Sequence, residues 1–441
     1  MARKRPEAEI GEIISVTHDG RGIVAGEGKK VFVAGALAGE RVQFLRRKRK
    51  RNFDEAELLE VLDASKDRVQ PKCAVFGRCG GCALQHISHE RQLEIKFQSL
   101  KDALLRIGKV APESWLEPIT GQTWNYRRRA RLAVKDVPAK GRVLVGFRER
   151  HAPFVTDMQR CEVLAEPMDA LIAALSELIG TLSIRARLPQ IEVAVADNAT
   201  ALVFRVLDPP SGADRTRLET FSRQHDVEVW LQAGGLDSLE LLDIGLPREK
   251  LHYALPDFDV EIEFSPVDFV QINAAVNRHM VAAAIDLLDP QPGDRVLDLY
   301  CGIGNFSLPL ARRASEVLGL EGEPVLVERA RQNAERNKLP NAKFGVADLS
   351  AVNGSEDWMR RTWDRVLLDP ARDGAAQLVT QMRKLDPGRI VYVSCHPGTL
   401  ARDAAVLVNE LGYRLESAGI MDMFPHTAHV ESMAIFSRKN K

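Results

Sequence analysis

From residue 294 to residue 395 five short apolar runs alternate with longer segments of helical periodicity, a pattern that few folds accommodate. The runs are DRVLDLY (294–300), EVLGLE (316–321), AKFGVAD (342–348), WDRVLLD (363–369) and RIVYVSC (389–395). Apolar strands separated by helices build a mostly parallel sheet covered on both faces, the doubly wound α/β architecture. In such open sheets ligands bind beyond the carboxyl ends of the strands. The first run leads into the glycine loop DLYCGIGNFS, and the others finish at Glu321, Asp348, Asp369-Pro370 and Cys395. An acid or a thiol thus closes four successive strands, which is a series rather than one coincidence. Two last runs, YRLESAGIMDMF and HVESMAIFSRK, predict an antiparallel hairpin that closes the sheet edge.

The loop reads G-x-G-N (Gly302, Gly304, Asn305) and lacks the third glycine of a dinucleotide fingerprint. Glycines there let the backbone approach a ligand closely. Glu321, about twenty residues on, suits both hydroxyls of a ribose, and Asp348 can reach an adenine edge. A nucleoside cofactor with no pyrophosphate to cradle fits S-adenosylmethionine better than NAD. Cys301, in the same loop, reads as a small packed residue. Cys395 stands at the tip of a buried strand in VYVSCHPGTLARD, where a packing residue, a metal ligand and a nucleophile are all open readings. Glu431, in FPHTAHVESMAIF beside His426 and His429, reads either as a solvent-facing acid or as a general base.

At 441 residues the chain exceeds what one core supports, so several domains are expected. Residues 7–64 carry short β-rich runs punctuated by Asp19-Gly20, Gly22, Gly26 and Gly28. Five such strands suit a small OB-like barrel, a frequent oligonucleotide binder. Lysine plus arginine and aspartate plus glutamate both number 61, so net charge gives no reason to expect a nucleic acid. Distribution does: RRKRKR at 46–51 and the group Arg127, Arg128, Arg129 and Arg131 are dense cationic clusters of the kind that contact phosphates. The first is expected to be a strand-to-strand loop forming the RNA-facing edge of the barrel, with a solvated surface run as the alternative. Between 69 and 260 a helical segment, SHERQLEIKFQSLKDALLRIG, precedes the runs RRRARLAVK, RVLVGFRER, IEVAVAD, ATALVFRV and VEVWLQ. Their alternation predicts a half-buried antiparallel sheet.

No apolar run is long enough to span a membrane, and MARKRPEAEI has no apolar core of a secretory signal. A reducing cytoplasm is the expected compartment, where six cysteines point to metal binding or catalysis rather than disulfides. Cys73, Cys79 and Cys82 form C-x5-C-x2-C among Gly77, Gly80 and Gly81. Three thiolates ask for a fourth ligand, and Cys161 in DMQRCEVL is the candidate outside the doubly wound region. Zinc and an iron–sulfur cluster both accept four cysteines; the lack of a second close C-x2-C pair favours the cluster.

The segments DLYCGIGNFSLPLA, DPARDGA, VYVSCHPGTLARD and FPHTAHVESM together resemble the RNA uracil-C5 methyltransferases, and the resemblance extends over essentially the whole chain. With the barrel and the C-x5-C-x2-C group, the chain is similar to the 23S ribosomal RNA enzymes of that family. The resemblance implies a multidomain protein: an N-terminal OB-like TRAM β-barrel (1–68), a central α+β iron–sulfur domain (69–260) and a C-terminal α/β Rossmann-like S-adenosylmethionine-dependent methyltransferase domain (261–441). It implies that Cys73, Cys79, Cys82 and Cys161 hold a [4Fe–4S] cluster. It implies that S-adenosylmethionine contacts Gln271 (in DFVQIN), Tyr300, Asn305, Glu321, Asp348 and Asp369, that Cys395 is the nucleophile and that Glu431 is the base. Tyr300 and Asp348 depart mildly from the Phe and Asn frequent in the family.

The implied activity is methylation of C5 of a uridine in 23S ribosomal RNA through a covalent Cys–C6 adduct, by a cytoplasmic monomer. The alternatives are a dual-site 23S or transfer-RNA uracil-C5 enzyme, and a non-catalytic RNA-binding assembly factor that keeps the fold. Asp369-Pro370-Ala371-Arg372 lacks the second proline and aromatic residue of amino-methyltransferases. Ala371 stands where RNA cytosine-C5 enzymes place a second cysteine, and the x5 spacing departs from the C-x3-C-x2-C of radical methylthiotransferases.

Overall fold

The computed structural model describes residues 7–438 apart from 27 and 246. The basic residues 1–6 and the final lysine of the last predicted run, at 439, lie outside the described residues. The chain divides into two compact units: Met1–Ser99 with Phe147–Thr156 and Phe424–His429, and Leu100–Gly146 with Asp157–Met423 and Val430–Lys441.

In the first unit, β1 (Glu9–Val16), β2 (Arg21–Val24), β3 (Lys30–Ala34), β4 (Arg41–Arg49) and β5 (Phe53–Asp63) close into the expected five-stranded barrel, in the order β1-β2-β3-β5-β4. Alternate residues point inward, and Ile13, Val31, Val33, Val42, Phe44 and Ala56 pack as its core. Burying each of the larger ones contributes roughly 1.5–3 kcal/mol.

The expected basic loop at 46–51 is corrected: residues 46–49 continue β4, and only 50–52 form the turn. Much of its charge is also paired. Arg46 reaches Glu9 on β1 and Asp54 on β5, each at 2.8 Å, Arg47 pairs with Glu57 at 2.6 Å, and Lys50 with Glu55 at 2.9 Å. The physical reason is register: β4 lies between two strands whose facing residues are acidic, and opposite charges meet across the pairs. Beyond the barrel come the cysteine loop and α1 (His89–Ala103), whose residues up to Ser99 belong to this unit.

In the second unit the next elements are β6 (Ser114–Trp115), β7 (Arg129–Val137), β8 (Arg142–Gly146), α2 (Met168–Thr181), β9 (Gln190–Val195), β10 (Thr200–Arg205), α3 (Gly212–His225), β11 (Glu228–Gln232) and β12 (Leu239–Leu241). A six-stranded sheet runs β12-β11-β10-β9-β7-β8. It is antiparallel as expected except between β10 and β11, which are parallel. The crossover helix α3, opened by a capping box at Ser211 and Asp214, returns the chain in the same direction and so imposes that pairing.

The remaining elements are β13 (His252–Leu255), β14 (Val260–Glu263), α4 (Ala274–Leu288), β15 (Arg295–Leu299), α5 (Ser307–Ala311), β16 (Glu316–Glu321), α6 (Pro324–Arg336), β17 (Ala342–Val346), β18 (Arg365–Leu368), α7 (Ala376–Thr380), α8 (Met382–Leu385), β19 (Arg389–Ser394), α9 (Pro397–Ala405), β20 (Tyr413–Met421) and β21 (Glu431–Arg438). They give an eight-stranded sheet ordered β17-β16-β15-β18-β19-β21-β20-β6, parallel from β17 to β19. Val366, Leu367, Leu368, Ile390, Val391 and Tyr392 are fully buried in its middle. The terminal hairpin forms, but it does not close the edge. β21 lies between β19 and β20, and β6 pairs beyond β20 through Ser114 and Trp115. A strand this short covers an edge without any periodic signal of its own. Among the described residues no helix is long and apolar enough to cross a membrane.

Candidate active site

The parallel register sets Leu299 beside Leu320 and Leu368, and Leu368 beside Tyr392, so the predicted strand ends lie next to one another. Tyr300 leaves β15 with φ 66°, a left-handed conformation costly for a residue with a Cβ. Its N–H and that of Cys301 both donate to the Leu320 carbonyl, at 2.9 and 3.0 Å. This turn aims the Gly302 N–H at Glu321 Oε2 (3.1 Å), while Glu321 Oε1 accepts from Gly322 N–H at 2.7 Å. The carboxylate is therefore oriented by loops from two adjacent strands. Gly302 holds φ 54°, and no atom lies within 4 Å of where a Cβ would stand, so the loop borders open space. Cys301 is buried, with its sulfur 2.9 Å from where a Cβ on Gly319 would stand, a packing position.

Burial, together with Asp403, Asp348 and Glu321, pushes the Tyr300 phenol up to about 12, which places three of the predicted cofactor residues in one field. Asp348 is exposed, and hydrogen bonds from the Ser350 hydroxyl (2.6 Å) and N–H (3.0 Å) hold its carboxyl below the usual range. Asn305 is held by residues that no motif flagged. Its Oδ1 accepts from Tyr253 Oη at 2.9 Å and from Asn277 Nδ2 at 3.0 Å, and its Nδ2 donates back to Asn277 Oδ1 at 3.0 Å. Gln271, Tyr253 and Asn277 line one small cavity. The one signal for Asn277 was a polar residue on the buried stripe of α4 with Met280, Val281 and Ala284.

Cys395 follows β19 and precedes α9, whose first turn is capped by His396 Nδ1 accepting from Thr399 N–H at 3.2 Å. A helix N-terminus favours a thiolate. Here the opposing effects win: burial first, then Glu431 and Asp369, push the Cys395 thiol up to about 11. Asp369 is partly open at the surface as a residue, but its carboxyl sits among protein atoms, and burial with Glu431 and Asp298 raises it well above the carboxylate range. Asp298, wholly buried and bonded to Ser307, is pushed up to about 7 by burial, with Glu321 adding. Carboxyls and a thiol so raised are stabilised in charged form by any cation brought among them.

The loop after Asp369 is fastened to α9. Thr399 Oγ1 donates to the Arg372 carbonyl at 3.2 Å, and Asp403 accepts from Ala375 N–H (2.7 Å) and Tyr392 Oη (2.6 Å). Gly374 holds φ 75°, and a Cβ there would come within 2.7 Å of Arg402 and Asp403. Of the predicted catalytic and cofactor residues, the structure thus brings Cys395, Glu431 and Asp369 into one group, Tyr300, Glu321 and Asp348 into a second, and Gln271 and Asn305 together through Asn277 and Tyr253.

None of the six cysteines is in a disulfide. In the first unit Cys79 is buried, receives the Gly81 N–H at 3.4 Å, and is raised by burial with Cys73 adding. Cys73 N–H donates to Gln85 Oε1 at 3.1 Å. In the second unit Cys161 is buried, and its N–H donates to the Asp169 carbonyl at 3.0 Å. Among the described residues no three His, Cys, Asp or Glu side chains are gathered as a metal requires. The donor set has the chemistry of a cluster site.

A family model described as tRNA (Uracil-5-)-methyltransferase matches residues 90–439. The 23S rRNA (uracil(1939)-C(5))-methyltransferase RlmD of Alkalilimnicola ehrlichii is 52% identical over 427 residues, 97% of this chain and 96% of that protein. Its namesake in Stenotrophomonas maltophilia is 50% identical over 432 residues, 97% of each chain. Among solved structures, the Pyrococcus abyssi tRNA (uracil-54, C5)-methyltransferase in complex with S-adenosyl-L-homocysteine is similar with a TM-score of 0.75 and 27% identity, covering 97% of this chain and 99% of that one.

Proposed function

The chain belongs to the tRNA (uracil-5-)-methyltransferase family, and from that premise we propose that it transfers the methyl group of S-adenosylmethionine to C5 of a uridine in 23S ribosomal RNA. The observation that carries the reading is the Cys395 thiol at the end of β19, in one field with Glu431 and Asp369. The 23S relatives are half identical along nearly the whole chain, including the barrel and cysteine loop that precede the family match. The tRNA enzyme of Pyrococcus abyssi has the same extent at 27% identity, so sequence rather than architecture favours ribosomal RNA over a tRNA or dual-site reading. The test is deuterated-methyl mapping of 23S ribosomal RNA and tRNA transcripts after incubation with the protein. One 5-methyluridine in the 23S transcript, at the position matching uracil 1939 of the relatives, is expected. Label confined to tRNA, or none, overturns the reading.

S-adenosylmethionine supplies an electrophilic methyl on a sulfonium. For this ligand Glu321, aimed by its two backbone donors, suits the ribose diol, and Asp348 suits the adenine edge. Gln271, Tyr300, Asn305 and Asp369 are the further proposed contacts. The raised acids around Cys395 suit a cationic ligand. In the proposed chemistry the Cys395 thiolate adds to C6 of uracil, and the ring becomes an enolate whose C5 takes the methyl group. Glu431 then removes the C5 proton, the C5–C6 double bond re-forms and Cys395 leaves. The base must be taken out of its stack for the thiol to reach it.

The raised thiol sets a pH dependence. A thiol reacts as thiolate, so with a value near 11 its reactivity is low at neutral pH and climbs as pH rises toward 11. Iodoacetamide labelling of Cys395, followed by peptide mass spectrometry, should show that climb in the free protein. S-adenosylmethionine should move it to lower pH, because the sulfonium charge favours the thiolate, and uncharged S-adenosylhomocysteine should move it less. A free-protein midpoint near the ordinary value of about 8.5 contradicts the burial argument.

We further propose that Cys73, Cys79, Cys82 and Cys161 hold a [4Fe–4S] cluster. Supporting this are the thiol-only donor set, the glycines around it and the Gly81 N–H directed at Cys79 sulfur, a contact that favours a ligating thiolate. Protein purified without oxygen should be brown and contain iron, and Cys161→Ser should lose both; a colourless zinc protein overturns the proposal. On this reading residues 1–68 are an RNA-binding barrel, 69–260 an iron–sulfur domain and 261–441 the catalytic domain of a cytoplasmic monomer.

A further inference from the structure

Asn305 ends the glycine loop after β15, and its carboxamide is almost fully engaged within the second unit. Such a group has two acceptor lone pairs and two donor hydrogens. Tyr253 Oη and Asn277 Nδ2 take both lone pairs of Oδ1, and Asn277 Oδ1 takes one hydrogen of Nδ2. What the side chain still offers a ligand is one N–H. Turning the amide over would break both bonds to Asn277 and remove the acceptor of the Tyr253 proton. Burial, with Asp197 adding, pushes the Tyr253 phenol up, so it keeps that proton and remains a donor.

The two partners are themselves held. Asn277 is 4% exposed, in the first turn of α4 behind the Asn273 cap, and its N–H donates to the Asn273 carbonyl at 2.8 Å. A leucine on that buried stripe would avoid the cost of burying an amide, so what the amide adds is direction. Tyr253 lies on β13 opposite Ile262 of β14, with its ring 6.0 Å from that of Phe264. Arg128 and Arg278 line the small cavity beside Tyr253 and Asn277, and both pair with Asp197, Arg278 at 3.3 Å. Two guanidinium groups share one carboxylate, which leaves that wall with a net positive charge and favours an anionic group nearby.

We propose that Tyr253 and Asn277 are positioning residues that reduce Asn305 to a single N–H donor, and that this donor serves the carboxylate of S-adenosylmethionine. This rests on the cofactor reading proposed above. The carboxylate is the part of that cofactor that is negatively charged and only accepts hydrogen bonds. The ribose hydroxyls and the adenine amino group donate, and so suit the acids Glu321 and Asp348. Without its two partners the Asn305 amide can turn its oxygen toward the ligand, which a carboxylate repels and an uncharged neighbour does not.

The experiment titrates the full chain calorimetrically with S-adenosylmethionine and with its decarboxylated form, which keeps the sulfonium, amine, ribose and adenine. The unsubstituted protein should bind the decarboxylated compound at least about 10-fold more weakly. Asn277→Leu, which removes both amide bonds at similar size, should weaken S-adenosylmethionine roughly 10-fold and the decarboxylated compound less than about 2-fold. Tyr253→Phe should give the same split at roughly 3-fold. Thermal unfolding is followed for each variant, and should Asn277→Leu fail to fold, Tyr253→Phe, which loses one hydroxyl, decides. Unchanged S-adenosylmethionine affinity in the folded variants, equal losses for the two compounds, or equal affinities for them in the unsubstituted protein overturns the inference, because a general disturbance of the loop would not single out the carboxylate. If the unsubstituted protein binds neither S-adenosylmethionine nor S-adenosylhomocysteine, the cofactor reading itself fails, and that result precedes any variant.

Discussion

Cys395→Ala is expected to abolish methyl transfer, by about 10⁴-fold or more, together with all covalent trapping on RNA containing 5-fluorouridine. C5 of uracil is too weak a nucleophile until an electron pair is added at C6, and alanine has none to give. The neighbouring acids cannot substitute. Asp369 is held well above its ordinary value by burial, with Glu431 and Asp298 adding, which makes it a poorer nucleophile. The 5-fluoro analogue makes the assay direct: no base can remove fluorine from C5, so the adduct persists and is read by gel mobility or intact mass. The substitution lies just beyond β19 in a half-exposed position, so S-adenosylmethionine affinity should change by less than about 3-fold. Adducts that persist in Cys395→Ala would remove it as the nucleophile.

Glu431→Gln is expected to have the second largest effect, with the opposite signature. The amide preserves size and loses the base, so turnover should fall by about 10²- to 10⁴-fold while methylated adduct builds up on ordinary uridine RNA. The substitution also removes a negative charge that helps hold the Cys395 thiol at about 11. The thiol should therefore titrate lower, and adduct formation should not slow. Pre-steady-state quench with intact-mass detection separates the two steps. Normal turnover would exclude Glu431 as the sole base.

The two substitutions probe features that were readable at different depths. Cys395, Glu321, Asp348 and Asp369 could be picked out because strand periodicity locates a strand end, and a parallel sheet places such ends in a row. The barrel was likewise visible as five runs of alternating residues broken by glycines. Glu431 was ambiguous alone, since an acid at the start of a strand faces solvent as often as not. Its proximity to Cys395 depends on β21 being inserted antiparallel beside β19, which local pattern does not specify. Asn277 and Tyr253, which hold Asn305, were not singled out at all, because each is one polar group in an otherwise ordinary segment.

Charge was the least transferable reading. RRKRKR looked like a free cationic loop, yet Arg46 meets Glu9 thirty-seven residues away and Arg47 meets Glu57. Whether an arginine is available to a phosphate depends on which acid lies across from it in the barrel, and register settles that.

The amino-acid order alone therefore determined the elements, the row of chemistry-bearing strand ends, the glycine turn and the family resemblance. These depend on neighbours within a few residues, whose steric and hydrophobic preferences are local. The tertiary structure decided which charges are neutralised, how far the Cys395 thiol is raised, that β6 borders the sheet, and that Gln92 and Lys96 grip the turn at His426 more than three hundred residues along the chain. Those outcomes come from burial and from partners distant in sequence, which exist only once the sheets and the barrel have closed.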